Sequence, residues 1–130
     1  MTQRWTKHRW LLIILGPALF MIVGSLTAAL FLPFPVPKRA APERRLYLEH
    51  CATCHGADGS GSWRATLFLM RPGDLRDPRV MDALTDEYLQ TLIRNGGASL
   101  GKPGMPAFGY HLGDEDIRAL VTYLRTLPKR

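Results

Sequence analysis

The residues CATCHG, from Cys51 to Gly56, contain both cysteines of this 130-residue sequence. Two residues separate the thiols, and His55 follows the second one directly. A Cys-x-x-Cys pair is compatible with three kinds of chemistry: a redox dithiol, half of a zinc site, or covalent attachment of haem. The surrounding residues must decide between them.

His55 favours haem attachment. In that interpretation Cys51 and Cys54 add to the two vinyl groups of a haem, and the next residue offers its imidazole to the iron as proximal ligand. A zinc site needs about four protein ligands, but the sequence has no second Cys-x-x-Cys and no spaced histidine pair. A thioredoxin-like dithiol belongs in a βαβ unit, and no strand-like alternation surrounds the motif. A haemless redox pair stays open as an alternative.

An uncharged apolar run of 23 residues covers positions 10–32. A helix of this length is about 35 Å long, enough to cross the bilayer's hydrocarbon core of about 30 Å. Residues 1–9 carry Arg4, Lys7 and Arg9, and Trp5 and Trp10 stand beside them, a pattern typical of a basic interfacial flank. We predict a cytoplasmic tail over 1–9 and a transmembrane helix over 10–32, but the basic residues at 38–45 nearly balance those of the tail, so charge does not decide the orientation. The competing interpretation is a cleaved signal peptide, whose apolar region is shorter, about 7–15 residues.

The formal net charge of +6 raises the question of a nucleic-acid partner. Residues 46–130 contain ten basic and ten acidic residues, so this part has no net charge. The excess lies in the N-terminal tail and in residues 38–45, on either side of the apolar run. Such a distribution favours attraction to anionic lipid headgroups, and we expect no nucleic-acid partner.

A proline-rich linker is predicted over residues 33–42, where alternate prolines favour extended polyproline geometry. The remaining residues, 43–130, form the predicted haem domain. Its first helix is expected over 43–54 and ends in the Cys-x-x-Cys-His motif. Residues 56–84 hold several glycines and prolines without a steady period, so we expect a long loop packed around a buried porphyrin.

Two further helices are predicted from capping residues and apolar periodicity. Thr85 can cap a helix that has acidic residues in its first turn and that Gly96 and Gly97 stop. Another helix is expected after Gly113, where apolar residues recur at helical spacing. The domain is therefore expected to be all-α.

Met105 lies between Gly104 and Pro106 in the glycine- and proline-rich stretch 96–114. This stretch is not expected to form regular structure. A thioether held by a restrained loop suits a sixth iron ligand, and methionine opposite histidine raises the haem reduction potential relative to two histidines. We therefore predict Met105 as the distal ligand.

Other side chains near these segments are rivals for the iron or donors to the haem propionates. Most methionines in apolar loops pack against apolar neighbours, so Met70 and Met81 are expected to be packing residues. His50 and His111 are expected to face solvent. Buried propionates need hydrogen-bond donors, and the sequence sets no preference among the candidates Trp63, Arg64, Arg71, Arg94 and Tyr110.

Three segments, YLEHCATCHG from Tyr47, GMPAFG from Gly104 and LGDEDIRALVTYLRTL from Leu112, resemble class I cytochromes c when taken in this order. The resemblance covers about residues 43–128. It implies a small fold of three to five helices around one haem c, here preceded by a single transmembrane helix. It implies that Cys51 and Cys54 are the thioether anchors of the haem, and that His55 and Met105 are the axial ligands of the iron.

The resemblance also has consequences for packing and for location. It implies that the first and last helices of the domain cross, with Tyr47 near Leu120, Tyr123 or Leu124. Haem of this type is attached outside the cytoplasmic membrane. We therefore expect a bacterial inner-membrane protein with its N-terminus inside and its haem domain on the periplasmic side.

With both axial positions filled, the iron has no open site for a substrate. We therefore expect a membrane-anchored electron carrier and not an enzyme, exchanging single electrons with respiratory or other membrane redox partners or within a larger complex. The alternative is a gas or peroxide sensor, or a catalytic haem, whose methionine is displaced. Binding of carbon monoxide to the reduced protein separates the two.

Overall fold

The computed structural model describes the backbone of residues 2–129 and the side chains of residues 10–129. The chain divides into two units, Met1–Leu32 and Pro33–Arg130. All regular structure in the described residues is helical, as predicted. The helices are α1 (Thr2–Phe31), α2 (Pro42–His50), α3 (Ala52–His55), α4 (Trp63–Leu67), α5 (Pro78–Met81), α6 (Asp86–Asn95) and α7 (Asp114–Thr126), with a 3₁₀ turn at Ala98–Leu100.

The first unit is the long helix α1. Its segment Trp10–Phe31 is 22 residues long, has a mean hydropathy of 2.3 in its most apolar part and has no buried side chain. By length and composition this helix is able to cross a bilayer, and a signal sequence meets the same description. The helix begins at Thr2, so its backbone includes most of the predicted tail 1–9, whose side chains lie outside the described residues.

The core of the second unit forms where α2 meets α7. Tyr47 of α2 is fully buried, and its ring centroid lies 5.2 Å from that of Tyr123 on α7. Ile117, Leu120 and Val121 of α7 are almost completely buried in the same cluster. Each such aliphatic side chain contributes about 1.5–3 kcal/mol on burial. The expected contact between the first and last helices of the domain, with Tyr47 near Tyr123, is confirmed.

Capping side chains fix the starts of α6 and α7 as the sequence predicts. The Thr85 hydroxyl accepts a hydrogen bond from the Tyr88 amide at 3.2 Å. At the start of α7, the Asp116 carboxylate accepts from the Gly113 amide, also at 3.2 Å. These bonds satisfy amides that have no partner within the helix.

The segment 56–84 is not one continuous loop, which corrects the expectation. It contains the short helices α4 and α5, whose first turns are capped by Ser62 and Asp77. Helices of five and four residues are too short to establish an apolar period, so only their caps could have indicated them. The expected helix 43–54 is likewise interrupted at Cys51, which separates α2 from α3.

Part of the predicted linker packs onto the second unit. Phe34 and Val36 are partly buried and contact its core. The Arg64 guanidinium of α4 lies 4.7 Å from the centroid of the Phe34 ring, within the range of a cation–π contact. The proline-rich segment that follows α1 is therefore held against the core of the second unit.

Candidate functional site

Backbone hydrogen bonds hold the Cys-x-x-Cys-His motif in a tight turn. The Cys51 amide donates to the Tyr47 carbonyl at 2.8 Å as α2 ends, and the His55 amide donates to the Cys51 carbonyl at 2.9 Å within the next turn. The chain then folds back, so that the Ser62 amide donates to the Cys54 carbonyl at 3.0 Å. The motif is thus fixed at both ends.

A cavity of about 620 Å³ opens beside this turn. Cys51, Cys54 and His55 line it together with Met105, so the structure brings the four predicted site residues to one place. The volume falls within the range of about 300–1,000 Å³ that is typical of small-molecule and cofactor sites. Much of the remaining wall is apolar and comes from α6 and α7, at Leu89, Leu92, Ile93, Leu120 and Leu124.

The loop that carries Met105 is bound to the end of α6. The Met105 carbonyl accepts from the Gly97 amide at 2.9 Å, and the Met105 amide donates to the Lys102 carbonyl at 3.1 Å. The Phe108 amide donates to the Ile93 carbonyl at 3.0 Å. A half-buried thioether is therefore held at the cavity by backbone that has few alternative positions.

Gly96 permits the close approach of this loop. Its φ is +75°, which L side chains rarely adopt, and a Cβ at this position would lie 2.8 Å from the Ala107 amide nitrogen and 2.9 Å from the Met105 carbonyl oxygen. Glycine is therefore required by both the conformation and the contact. Its role in stopping α6, expected from the sequence, is only part of its function.

The imidazole of His55 is in a suitable state to bind a metal. Burial lowers its pKa below the usual value, while the backbone of Gly73 opposes the shift and Lys102 adds to it. The Nδ1 atom is buried and forms no hydrogen bond among the described residues. A neutral imidazole beside an apolar cavity, with two thiols on the same turn, fits the donor set of a covalently attached haem.

The thiol of Cys51 does not have the properties of a redox-active cysteine. Burial, and secondarily the neighbouring Cys54, raise its pKa to about 12. Reactive dithiols depend on a lowered pKa, because the thiolate is the nucleophile. This shift argues against the haemless redox pair.

The structure separates the rival ligands. Met81 is buried in the core, as expected for a packing residue, and His111 is exposed and does not line the cavity. Met70 does line it, and its sulfur would lie 3.2 Å from a Cβ added at Gly104. His50 was expected to face solvent, which is wrong: it is half-buried, lines the cavity and packs edge-on against Phe108.

Among the proposed propionate donors, only Arg71 lines the cavity. Arg94 pairs with Asp114, and the Tyr110 ring is 90% exposed. Lys102 also lines the cavity, although the sequence gave no reason to select it. The sequence feature that could have indicated Lys102 is its position in the loop of the predicted distal ligand, three residues before Met105.

An all-α domain that presents a Cys-x-x-Cys-His turn and a methionine loop to one apolar cavity belongs to the class I cytochromes c. The family is narrower than that class. The chain belongs to the family described as cytochrome c oxidase, cbb3-type, subunit III, whose model matches residues 38–124. Membership implies haem c as the cofactor.

Two known proteins extend this comparison. The chain is 30% identical over 86 residues to the gluconate 2-dehydrogenase cytochrome c subunit of Pantoea cypripedii. The match covers 62% of this chain but 18% of that subunit, so the chain spans less than a fifth of its relative's length. The solved c-type cytochrome KustC0563 is 29% identical, with a TM-score of 0.57 over 68% of this chain and 100% of that one.

Proposed function

We propose that this protein is a membrane-anchored c-type cytochrome that carries one haem and transfers single electrons. In this proposal Cys51 and Cys54 form the thioether links, and His55 and Met105 are the axial ligands. The observation that carries it is the single cavity with the motif turn and the Met105 loop in its wall. The haem supplies the one-electron couple between Fe(II) and Fe(III).

The polypeptide's contribution is to hold the ligand set constant. Backbone hydrogen bonds tie the Met105 loop to α6 and to itself, and the motif turn is fixed at both ends. Because neither ligand needs to move on oxidation or reduction, little reorganisation accompanies each electron. The apolar walls exclude water from the site and favour a raised reduction potential. This chemistry is that of a carrier and requires no substrate site.

The length and hydropathy of Trp10–Phe31 support anchoring through α1. We place the N-terminus in the cytoplasm and the haem domain on the periplasmic side of the inner membrane, where haem c is attached. The dehydrogenase relative is named as the cytochrome c subunit of its enzyme. We infer that this chain likewise passes electrons for a membrane oxidoreductase or within its complex.

Haem staining after denaturing electrophoresis tests the covalent attachment. The wild-type band should stain, and a haem assay against protein concentration should give one haem per chain. The Cys51→Ala/Cys54→Ala variant is the control and should lose the stain. An unstained wild-type band would refute the proposal.

Carbon monoxide tests the filled iron site. The reduced wild-type protein should bind little carbon monoxide at neutral pH, because Met105 occupies the distal position. Rapid, stoichiometric binding would instead favour the sensor or catalytic haem.

A further inference from the structure

Helix α4 carries apolar side chains that the second unit does not bury. Trp63, Leu67 and Phe68 are each 57% exposed. None of the three lines the cavity, so a bound haem would not cover them. Leu69 is 92% exposed but does line the cavity, and it is therefore left out of this group. We call Trp63, Leu67 and Phe68 the α4 patch.

Helical geometry places two of these side chains on one face, and the third is the next residue of the chain. Trp63 and Leu67 are four residues apart on α4, which places them on the same face, and Phe68 directly follows the helix. The other large exposed apolar side chains of this unit outside the cavity wall, Val80, Leu100 and Tyr110, occur singly. Clustered apolar surface of this kind marks a contact site, whereas scattered residues need no explanation.

The chain connects the α4 patch closely to the end of the apolar span. Phe34 packs under the guanidinium of Arg64, which is the α4 residue directly after Trp63. Phe34 is three residues beyond Phe31, the last residue of α1. Since consecutive Cα atoms are about 3.8 Å apart, these residues are separated by at most ~11 Å. If α1 spans the bilayer and ends at Phe31, the covalent chain alone limits how far Phe34 can lie from the bilayer surface.

The charge nearby is suited to a lipid surface. Exposed basic side chains follow within eleven residues of Phe34, at Lys38, Arg39, Arg44 and Arg45, with Glu43 as the acidic residue among them. Basic residues next to a span are attracted to anionic headgroups, each by about 1 kcal/mol. Tryptophan, with an apolar ring and a polar N–H, is the side chain that prefers the interface itself.

We propose that the α4 patch lies in the headgroup region of the membrane and forms a second contact between the haem domain and the lipid. The inference rests on the proposed retention of α1 as an anchor. Because the Ser62 amide that precedes α4 bonds to the Cys54 carbonyl, this contact fixes the haem-binding turn relative to the membrane surface. The haem would then be held in one orientation towards a partner in the same membrane.

A spin label placed in the α4 patch tests the proposal. In the full-length, haem-loaded protein both native thiols are consumed, so Leu67→Cys provides one free thiol for labelling. Thr122→Cys, at an exposed position of α7, is the matched control. Both proteins are reconstituted into vesicles of phosphatidylcholine and phosphatidylglycerol, and each label's collisions with oxygen and with a water-soluble nickel chelate are compared.

The proposal predicts opposite results at the two positions. The label at position 67 should collide more with oxygen, which partitions into lipid, and lose most of its collisions with the nickel chelate. The label at position 122 should show the reverse. Equal access of the nickel chelate to both labels would overturn the proposal. The proposal would also be overturned if the nickel chelate reached position 67 in the vesicles and failed to reach it only in native membranes, because a protein partner would then cover the α4 patch.

The failure of the proposed function would be recognised separately. Without covalent haem, Cys51 and Cys54 would add free thiols to the titration of each variant. Without a retained α1, the protein would not remain with the vesicles after alkaline extraction. A test of the α4 patch is therefore read only from protein that has passed both measurements.

Discussion

Tyr47 connects the core of the haem domain to its candidate site. Its ring is fully buried against Tyr123, and its hydroxyl donates to the Gly56 carbonyl at 2.7 Å, directly after the Cys-x-x-Cys-His motif. Burial, followed by the electrostatic effect of Cys51, raises the pKa of this phenol far above its usual value, so it remains a neutral donor. The sequence indicated the packing of Tyr47 only through the family resemblance, and it did not indicate this hydrogen bond.

Replacing Tyr47 by phenylalanine should therefore destabilise the domain. The Tyr47→Phe variant removes this donor, while the buried Gly56 carbonyl still accepts from the Gly59 amide at 3.3 Å, so the free energy of unfolding should fall by about 0.5–1.5 kcal/mol. Urea denaturation of the haem-loaded protein measures the loss. Tyr123→Phe is the control, because it keeps the aromatic contact and removes a hydroxyl that makes no hydrogen bond with the described residues. Equal losses in the two variants would show that the Gly56 bond has no special role.

Met105 is the residue on which the reduction potential should depend. In Met105→Ala the haem should remain attached through Cys51 and Cys54, while the potential falls and the iron accepts carbon monoxide. Redox titration and absorption spectra measure both effects. The control is Met70→Leu, which changes the other methionine of the cavity wall and should keep the wild-type potential. If Met105→Ala retains the potential and spectrum, Met105 is not the ligand.

At the level of elements, α6 and its following loop act as one ligand-holding unit. The start of α6 was predictable because Thr85 and the acidic first turn follow known capping rules. The attachment of the Met105 loop to the end of α6 was not predictable, since it depends on backbone hydrogen bonds between residues that lack any periodic pattern.

Two glycines of this unit allow the attachment to be tested. Gly96→Ala should push the Met105 loop away from α6, because its Cβ would meet the Met105 and Ala107 backbone. Gly101→Ala is the control: its φ is +72°, close to that of Gly96, but a Cβ there meets no atom within 4 Å. Alanine costs about 1–2 kcal/mol in the left-handed conformation of Gly101, where ψ is 17°, and more at Gly96, where ψ is 175°. Only Gly96→Ala should lower the reduction potential and increase carbon monoxide binding; identical behaviour would contradict the role of close approach.

Helices α4 and α5 mark the limit of sequence analysis in this domain. Their glycine- and proline-rich surroundings predicted irregular structure, and their short lengths provide no apolar period. The position of His50 was missed for a related reason. Its orientation depends on where α2 ends, and contact with Phe108 then turns it towards the cavity. In contrast, α7 was predicted correctly because five apolar residues recur along one face.

At the scale of the whole molecule, the sequence predicts an apolar helix over 10–32 ahead of a helical haem domain, and the structure has two units, Met1–Leu32 and Pro33–Arg130. The four candidate site residues could be selected from the sequence, because the Cys-x-x-Cys-His motif and the Gly-Met-Pro motif are each short and contiguous. The α4 patch was not, since exposure of an apolar side chain depends on the tertiary fold.

Truncation tests this division. A chain that begins at Pro33 keeps Phe34 and Val36, which contact the core, and it should fold as a redox-active domain that needs no detergent. If exported through a cleavable signal peptide, it should acquire haem and be recovered from the periplasm. The full-length chain processed in parallel should remain with the membrane. A truncated protein that still requires detergent would show that the anchor lies elsewhere.

The central claim is that a covalently bound haem is held between His55 and Met105. Proton NMR of the reduced protein with labelled methionine methyl groups tests it most directly, because a methyl group above a porphyrin is strongly shifted by the ring current. Of the five methionines, one should give such a shifted signal, and Met105→Leu should abolish it. A spectrum without a shifted methyl, or a shifted methyl that persists in Met105→Leu, would contradict the account.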